Sequence, residues 1–126
     1  MARPVRLSSP KRLQALGRLP IVTMNKTEQR YSLHLEAQRQ LGEILWWKFE
    51  GITLKLARST HLNIDFAVMT ADRELRMVDV KGSAAVIQDD SWAKIKIAAG
   101  MYPFAFFLAI PAKGQKGQWE MREVIP

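Results

Sequence analysis

The stretch that decides the fold is Ile64-Asp65-Phe66-Ala67-Val68-Met69-Thr70-Ala71-Asp72-Arg73-Glu74-Leu75-Arg76-Met77-Val78-Asp79-Val80-Lys81-Gly82. Ile64, Phe66 and Val68 alternate with Asp65 and Ala67, the period-two pattern of a strand with one face in a core. Ala71-Asp72-Arg73 has the length and polarity of a tight turn, and Glu74–Lys81 returns as a second strand. Residues 64–81 are therefore expected to form a β-hairpin. Strand residues i and i+2 share a face, which sets Asp79 and Lys81 side by side. Both acids interrupt apolar runs: Asp65 stands between Ile64 and Phe66, and Asp79 among Met77, Val78 and Val80. Ionised carboxylates are seldom left unpaired in such surroundings.

Outward from the hairpin, the spacing predicts a helix from about Asn25 to Leu41, with Asn25 as N-cap and Gly42 as stop. A strand-rich stretch follows. Ile44–Glu50 is rich in aromatics, and Ile52, Leu54 and Leu56 alternate with Thr53 and Lys55 as in a half-buried strand. Ser59–Asn63 reads as a turn region. After the hairpin, Asp89 or Asp90 caps a second helix running to Ala99, with Gly100 as its stop. Phe104–Ile110 has the length of a buried strand, and Trp119–Ile125 reads as the last strand. The expected order is α-β-β-β-α-β-β, an α/β (α+β) fold with a mixed sheet flanked by helices.

The 126 residues amount to one domain, and 48% hydrophobic with 25% charged residues is an ordinary globular composition. With no cysteine, disulfide scaffolds, thiolate zinc sites and cysteine nucleophiles are excluded. His34 and His61 are too few for a histidine cage, so a metal here would sit on oxygen ligands, as Mg²⁺, Mn²⁺ or Ca²⁺ do. The longest uncharged run, Ile97–Ala112, is shorter than a bilayer span and contains Gly100, Pro103 and Pro111. No secretory signal is seen at the start, although its Arg-rich, acid-free composition is shared with transit peptides. The expected location is the cytoplasm.

The formal net charge of +7 is unevenly placed. Arg3, Arg6, Lys11, Arg12, Arg18 and Lys26 fall in residues 1–26 with no acid among them. The other residues hold 13 basic and 12 acidic side chains, a net of +1. Residues 1–24, broken by Pro4, Pro10, Gly17 and Pro20, read as a flexible arm ahead of a single domain at 25–126. Such an arm suits phosphate contacts; the alternatives are a solubilising tail or translation from Met24.

A carboxylate beside an ammonium suits a shared task. The carboxylate holds a divalent cation while the lysine steadies an attacking water or a phosphate oxygen. Asp65, on the neighbouring strand, brings a second carboxylate to the same cation. As an isolated tripeptide, Asp-x-Lys reads as a surface ion pair. On the first helix, Glu28 lies at the rim of the apolar face beside Leu35 and near Tyr31, while Glu36 shares the polar face with Gln29, Gln40 and Glu43. Glu28 is thus the helix acid able to reach a site on the sheet; its other reading is the N3 member of a capping box with Asn25. Lys94, Lys96 and Gln88 are weaker candidates for phosphate contacts, Glu50 for a ligand and His61 for substrate contact. Trp46, Trp47, Trp92, Phe104, Phe106 and Phe107 read as core rather than a base-stacking platform.

Asn25-Lys26-Thr27-Glu28-Gln29-Arg30-Tyr31, Gly42-Glu43-Ile44, Phe49-Glu50, Ile64-Asp65-Phe66 and Asp79-Val80-Lys81-Gly82 together resemble the motifs of the PD-(D/E)XK nuclease superfamily. The likeness is nearest to its small phage endonuclease I-like and Holliday-junction-resolvase-like members, and it covers about Asn25 to Ile110. Ile64 stands where the motif has proline, and Asp79 where glutamate is commoner. The resemblance implies a restriction-endonuclease-like core. It also implies Mg²⁺- or Mn²⁺-dependent endonuclease activity on DNA, selective for structure such as a junction, in a phage or prophage setting. Glu28, Asp65, Asp79 and Lys81 would be catalytic, with Asp65, Asp79 and Glu28 as metal ligands. Arg3, Arg6, Lys11, Arg12, Arg18, Lys94 and Lys96 would contact DNA, and a homodimer would cut both strands of a branch. The rival expectations are a non-catalytic nucleic-acid-binding module and an interaction protein whose acids merely pair with Arg73, Arg76 and Lys81.

Overall fold

Asn25 opens helix α1 (Lys26–Gln40) by accepting the Glu28 amide proton at 2.8 Å, while the Glu28 carboxylate accepts from the Asn25 amide at 2.9 Å. This reciprocal box satisfies two donors that the first helical turn leaves free. At the far end Gly42 takes φ of 80°, a left-handed turn that glycine adopts without a Cβ clash. The molecule is described by a computed structural model covering residues 24–83 and 90–126. The expected arm and its Arg3, Arg6, Lys11, Arg12 and Arg18, together with Gln88 and Asp89, lie outside the described residues.

Seven strands and a second helix follow: β1 (Ile44–Phe49), β2 (Thr53–Ala57), β3 (Thr60–Asn63), β4 (Phe66–Thr70), β5 (Leu75–Val80), α2 (Asp90–Met101), β6 (Ala105–Pro111) and β7 (Trp119–Glu123). One mixed sheet runs β1-β4-β5-β6-β7, and β2 with β3 forms a separate two-stranded ribbon. Within the sheet β1–β4, β4–β5 and β6–β7 are antiparallel. The β5–β6 pair is parallel, which requires the crossover that contains α2.

The sheet is covered on both faces. Tyr31 and Leu35 of α1 pack with Ile44, Phe66, Val68, Val78 and Ala109. On the opposite face Leu54, Leu56 and Leu62 of the ribbon and Ile95 and Ala98 of α2 cover Ala67, Met77, Phe106 and Leu108. Consecutive residues Phe66, Ala67 and Val68 are all buried because β4 sends alternate side chains into two cores. The fold is thus α+β, with a five-stranded mixed sheet, a ribbon and two helices. Among the described residues no helix is long and apolar enough to cross a membrane.

Three expectations need correction. Five strands, not three, separate the helices, because the stretch after the first helix divides into β1 and β2, and residues 60–63 form β3 rather than a turn and pair with β2 in the ribbon. His61 therefore lies on a strand, exposed. Gly100 does not stop α2, which runs on to Met101; it is where the helix meets the C-terminus, since a Cβ there would touch Pro126 Cβ at 3.4 Å. Trp46 is not core: it is 41% exposed on edge strand β1, next to the register shift between Ile44 and Trp46. The bulge turns Leu45 and Trp46 outward together.

Candidate active site

The β4–β5 hairpin is closed by the Thr70 amide donating to the Glu74 carbonyl at 2.9 Å and the Arg73 amide donating to the Thr70 carbonyl at 2.9 Å. Arg73 takes φ of 68° in this turn, and the Thr70 hydroxyl bonds the Asp72 carboxylate. The closure fixes the register, with Phe66 opposite Val78. One residue further along each strand, Asp65 faces Asp79. Opposed residues on one face of a sheet hold their Cβ atoms about 5 Å apart, close enough for the Asp79 carboxyl to act directly on that of Asp65. The Asp65 carboxylate is anchored by the Val80 amide, which donates to Oδ2 at 2.9 Å, and its carbonyl accepts from the Glu50 amide at 2.8 Å.

Lys81 follows from the same strand geometry. It shares with Met77 and Asp79 the face turned toward α2, and its amide still donates to the Ala109 carbonyl, so β6 keeps the segment extended. The side chain is only 10% exposed. Its Nζ donates to the Ser91 hydroxyl of α2 at 2.5 Å and lies 3.0 Å from Asp79 Oδ2. That oxygen is buried and, among the described residues, accepts no hydrogen bond, so the contact with Lys81 is an ion pair without hydrogen-bond geometry.

The electrostatics of the pair are unfavourable as they stand. Burial first, then contact with the Asp79 carboxyl and its charge, raise the Asp65 pKa to about 8; the Val80 amide opposes the shift and the charge of Glu28 adds to it. Two facing carboxyls with one buried oxygen lacking a hydrogen bond form a donor set that a hard divalent cation neutralises. Among the described residues no three His, Asp or Glu side chains cluster as a metal site. The set is two carboxylates, which suits Mg²⁺ because that ion keeps several waters and takes further oxygens from a phosphate.

Other expected residues are placed less centrally. Glu28 closes the capping box, yet its charge is felt at Asp65, and the α1 N-terminus adjoins the site: a Cβ on Gly82 would lie 4.0 Å from Thr27 Oγ1. Glu36 is held down to about pKa 2 by hydrogen bonds from Arg39 and then Trp47, well away from the acid pair. Lys94 donates to the His61 carbonyl at 3.2 Å, tying α2 to β3, and Lys96 Nζ sits 5.6 Å over the Trp92 ring. Glu50 is exposed just past β1 and meets the site through its amide alone. Phe106 is core, whereas Phe107 is half-buried beneath the Arg76 guanidinium at 4.7 Å.

Ser91 is the residue that sequence reasoning missed. Its neighbour Asp90 marks a helix start, but nothing in the spacing ties that start to a lysine ten positions earlier on a strand. Comparison with protein-family models, curated proteins and solved structures gives no match to this chain.

Proposed function

We propose that this chain is a metal-dependent DNA endonuclease of PD-(D/E)XK type that hydrolyses phosphodiester bonds in branched DNA, acting as a homodimer in the cytoplasm of a bacterial or phage-infected cell. The observation that carries the reading is the convergence of Asp65, Asp79 and Lys81 at one end of the hairpin, with an acid pair that burial and mutual repulsion leave short of positive charge. The order α1, antiparallel β1-β4-β5, crossover α2 and parallel β6 supports a restriction-endonuclease-like core.

Asp65 and Asp79 would hold Mg²⁺ or Mn²⁺. When bound, such an ion polarises the scissile phosphate and lowers the pKa of a coordinated water. The chain's own residues do the rest. The Val80 amide and the Glu50 amide fix Asp65, and Ser91 holds the Lys81 ammonium at the edge of the acid pair, where it can steady a water or a phosphate oxygen. The Asn25 amide occupies one of the two Glu28 carboxylate oxygens, which leaves the other to turn toward the site.

The Asp79–Lys81 ion pair also favours a second reading, in which the charges are structural and the chain is a non-catalytic nucleic-acid-binding module. Cleavage decides between them. The purified chain, incubated with 10 mM Mg²⁺ and labelled four-way junction, flap, nicked duplex and single-stranded DNA, is expected to cut at least the junction, and Asp79→Asn is expected to abolish the cut. No cleavage of any substrate by the parent, or equal cleavage by Asp79→Asn, refutes the nuclease reading.

A further inference from the structure

A second concave surface among the described residues lies apart from the acid pair. It has a volume of about 740 Å³ and lies between the outer face of α1 and the β6–β7 connection. Its floor is apolar: Leu33 is 70% exposed, and Ala37 and Trp119 continue the surface. Trp119 is fixed edge-on against Tyr31 at 4.9 Å, which makes that part of the floor rigid. Arg30, His34, Gln115, Lys116 and Gln118 supply the polar side chains, and no carboxylate lines the groove. Neither Arg30 nor Lys116 forms an ion pair among the described residues, whereas Arg39, Arg76 and Arg122 are each matched to a glutamate. A smaller cavity of about 350 Å³, at the turn end of the β4–β5 hairpin, shows the contrast, since Glu43 and Asp72 help to line it.

The groove lies on the α1 face of the sheet, opposite the face that carries Asp79 and Lys81, and at the same end of the strands. β5 and β6 run parallel, with Val80 paired to Ala109. Two residues beyond that pair the strands reach Gly82 and Pro111, and Pro111 is a wall of the groove. From the other side, Thr27 lies against Gly82 and Arg30 stands three residues later, about one helical turn along α1. The connection that carries Lys116 turns at Gly114 and Gly117, with φ of 71° and 81°, and so returns over the same sheet end.

An acid-free groove with two unmatched cations, two amides, an imidazole and an exposed apolar floor has the chemistry of a single-strand track, where phosphates meet cations and bases or sugars rest on apolar surface. We propose that this groove, at the acid-pair end of the sheet, binds a single-stranded nucleic-acid segment, with Arg30 and Lys116 on its phosphates. The inference rests on the nuclease reading for the identity of the ligand. Its test measures binding rather than cleavage, so the two can fail separately.

The test is fluorescence anisotropy of the full chain in EDTA, with a labelled 12-residue oligothymidylate, from 50 to 300 mM KCl. The variants are Arg30→Gln/Lys116→Gln and Arg73→Glu, which both lower the net charge by two; Arg73 lies in the hairpin turn at the opposite end of the sheet. Each phosphate contact on a single strand contributes a slope of about 0.7 in log K against log salt. The double variant should therefore lose about 1.4 of slope and bind roughly 25-fold more weakly at 0.1 M salt, while Arg73→Glu retains the parent slope. A Leu33→Ala change should weaken binding with no change of slope.

Equal losses in the two charge variants overturn the groove and leave only bulk charge. An unchanged double variant overturns it as well, and if the parent still cleaves DNA, the nuclease reading stands without it. Tighter binding of a 12-base-pair duplex than of the single strand overturns the single-strand assignment. Equal competition by polyglutamate assigns the groove to an acidic polypeptide instead. A parent that neither binds nor cuts nucleic acid overturns both proposals.

Discussion

Replacing Asp65 by Asn should make the protein more stable near neutral pH, and only when divalent metal is absent. Burial and the facing Asp79 carboxyl raise the Asp65 pKa from an ordinary carboxylate value to about 8. Between about pH 4 and pH 8, then, the folded state keeps a proton that the unfolded chain has released. Folding stability falls as pH rises through that window, by about 1.4 kcal/mol for each pH unit. From pH 4 to pH 7 this amounts to about 4 kcal/mol. Water at the rim of the site, where the Asp79 side chain keeps 14% of its exposure, trims the figure toward about 2 kcal/mol.

Asn removes the titration and keeps an oxygen to accept the Val80 amide. Thermal unfolding followed by circular dichroism in EDTA should show the parent losing stability from pH 5 to pH 7 while Asp65→Asn stays nearly level. At pH 7 the variant should melt roughly 10 °C higher, since 1 kcal/mol shifts a domain of this size by about 4–8 °C. Adding 10 mM Mg²⁺ should raise the parent and leave the variant unmoved, because a cation that binds only the folded acid pair stabilises by mass action. A parent whose melting temperature rises with pH in EDTA, or a variant less stable than the parent at pH 7, refutes the argument from the unneutralised pair.

Lys81→Met should lose cleavage while keeping the Mg²⁺-induced rise in melting temperature. In EDTA it should lose about 3 kcal/mol of stability, because it removes the ion-pair partner of a buried carboxylate. Glu28→Gln keeps a side chain suited to the capping box, so its melting point should stay within about 2 °C of the parent while cleavage drops strongly; Glu36→Gln should change neither. Deleting residues 1–20 removes Arg3, Arg6, Lys11, Arg12 and Arg18 and should flatten the salt dependence of DNA binding without lowering the melting point of the domain; an unchanged slope in a binding titration contradicts this.

The acid pair was legible because a hairpin's register is local information. Once Ala71-Asp72-Arg73 is read as a three-residue turn, Thr70 must face Glu74, and counting outward sets Asp65 opposite Asp79 with Lys81 two positions beyond. Alternation then shows that the acids share a face, and the capping box at Asn25 and Glu28 was readable from four adjacent residues. The ribbon was harder. Thr60-His61-Leu62-Asn63 has one buried residue in four and pairs only with β2, so its polar composition reads as a turn until Leu54 is seen facing Leu62 across the strands. Trp46 was misread for a related reason: bulk argues for burial, but a bulge on an edge strand reverses the face that a side chain takes.

Ser91 and the groove beside Arg30 depend on how distant segments pack, and no local pattern carries that information. Glu28 stands between these cases. Its capping role is local, and the helix start that it secures is set against Gly82 by tertiary packing, so that its charge reaches Asp65. A cap bond of this kind is worth about 1 kcal/mol, less than the attraction between a carboxylate and a divalent cation a few ångströms away, even at the moderate effective dielectric near a protein surface. Metal at the acid pair would therefore compete with the Asn25 amide for the Glu28 carboxylate, while the Asn25 side chain still holds the helix end through the Glu28 amide. Amide exchange reads this directly. The Asn25 amide should exchange faster on addition of Mg²⁺ while the Glu28 amide stays protected, and equal protection of the Asn25 amide with and without Mg²⁺ would mean that metal does not take Glu28 from its cap.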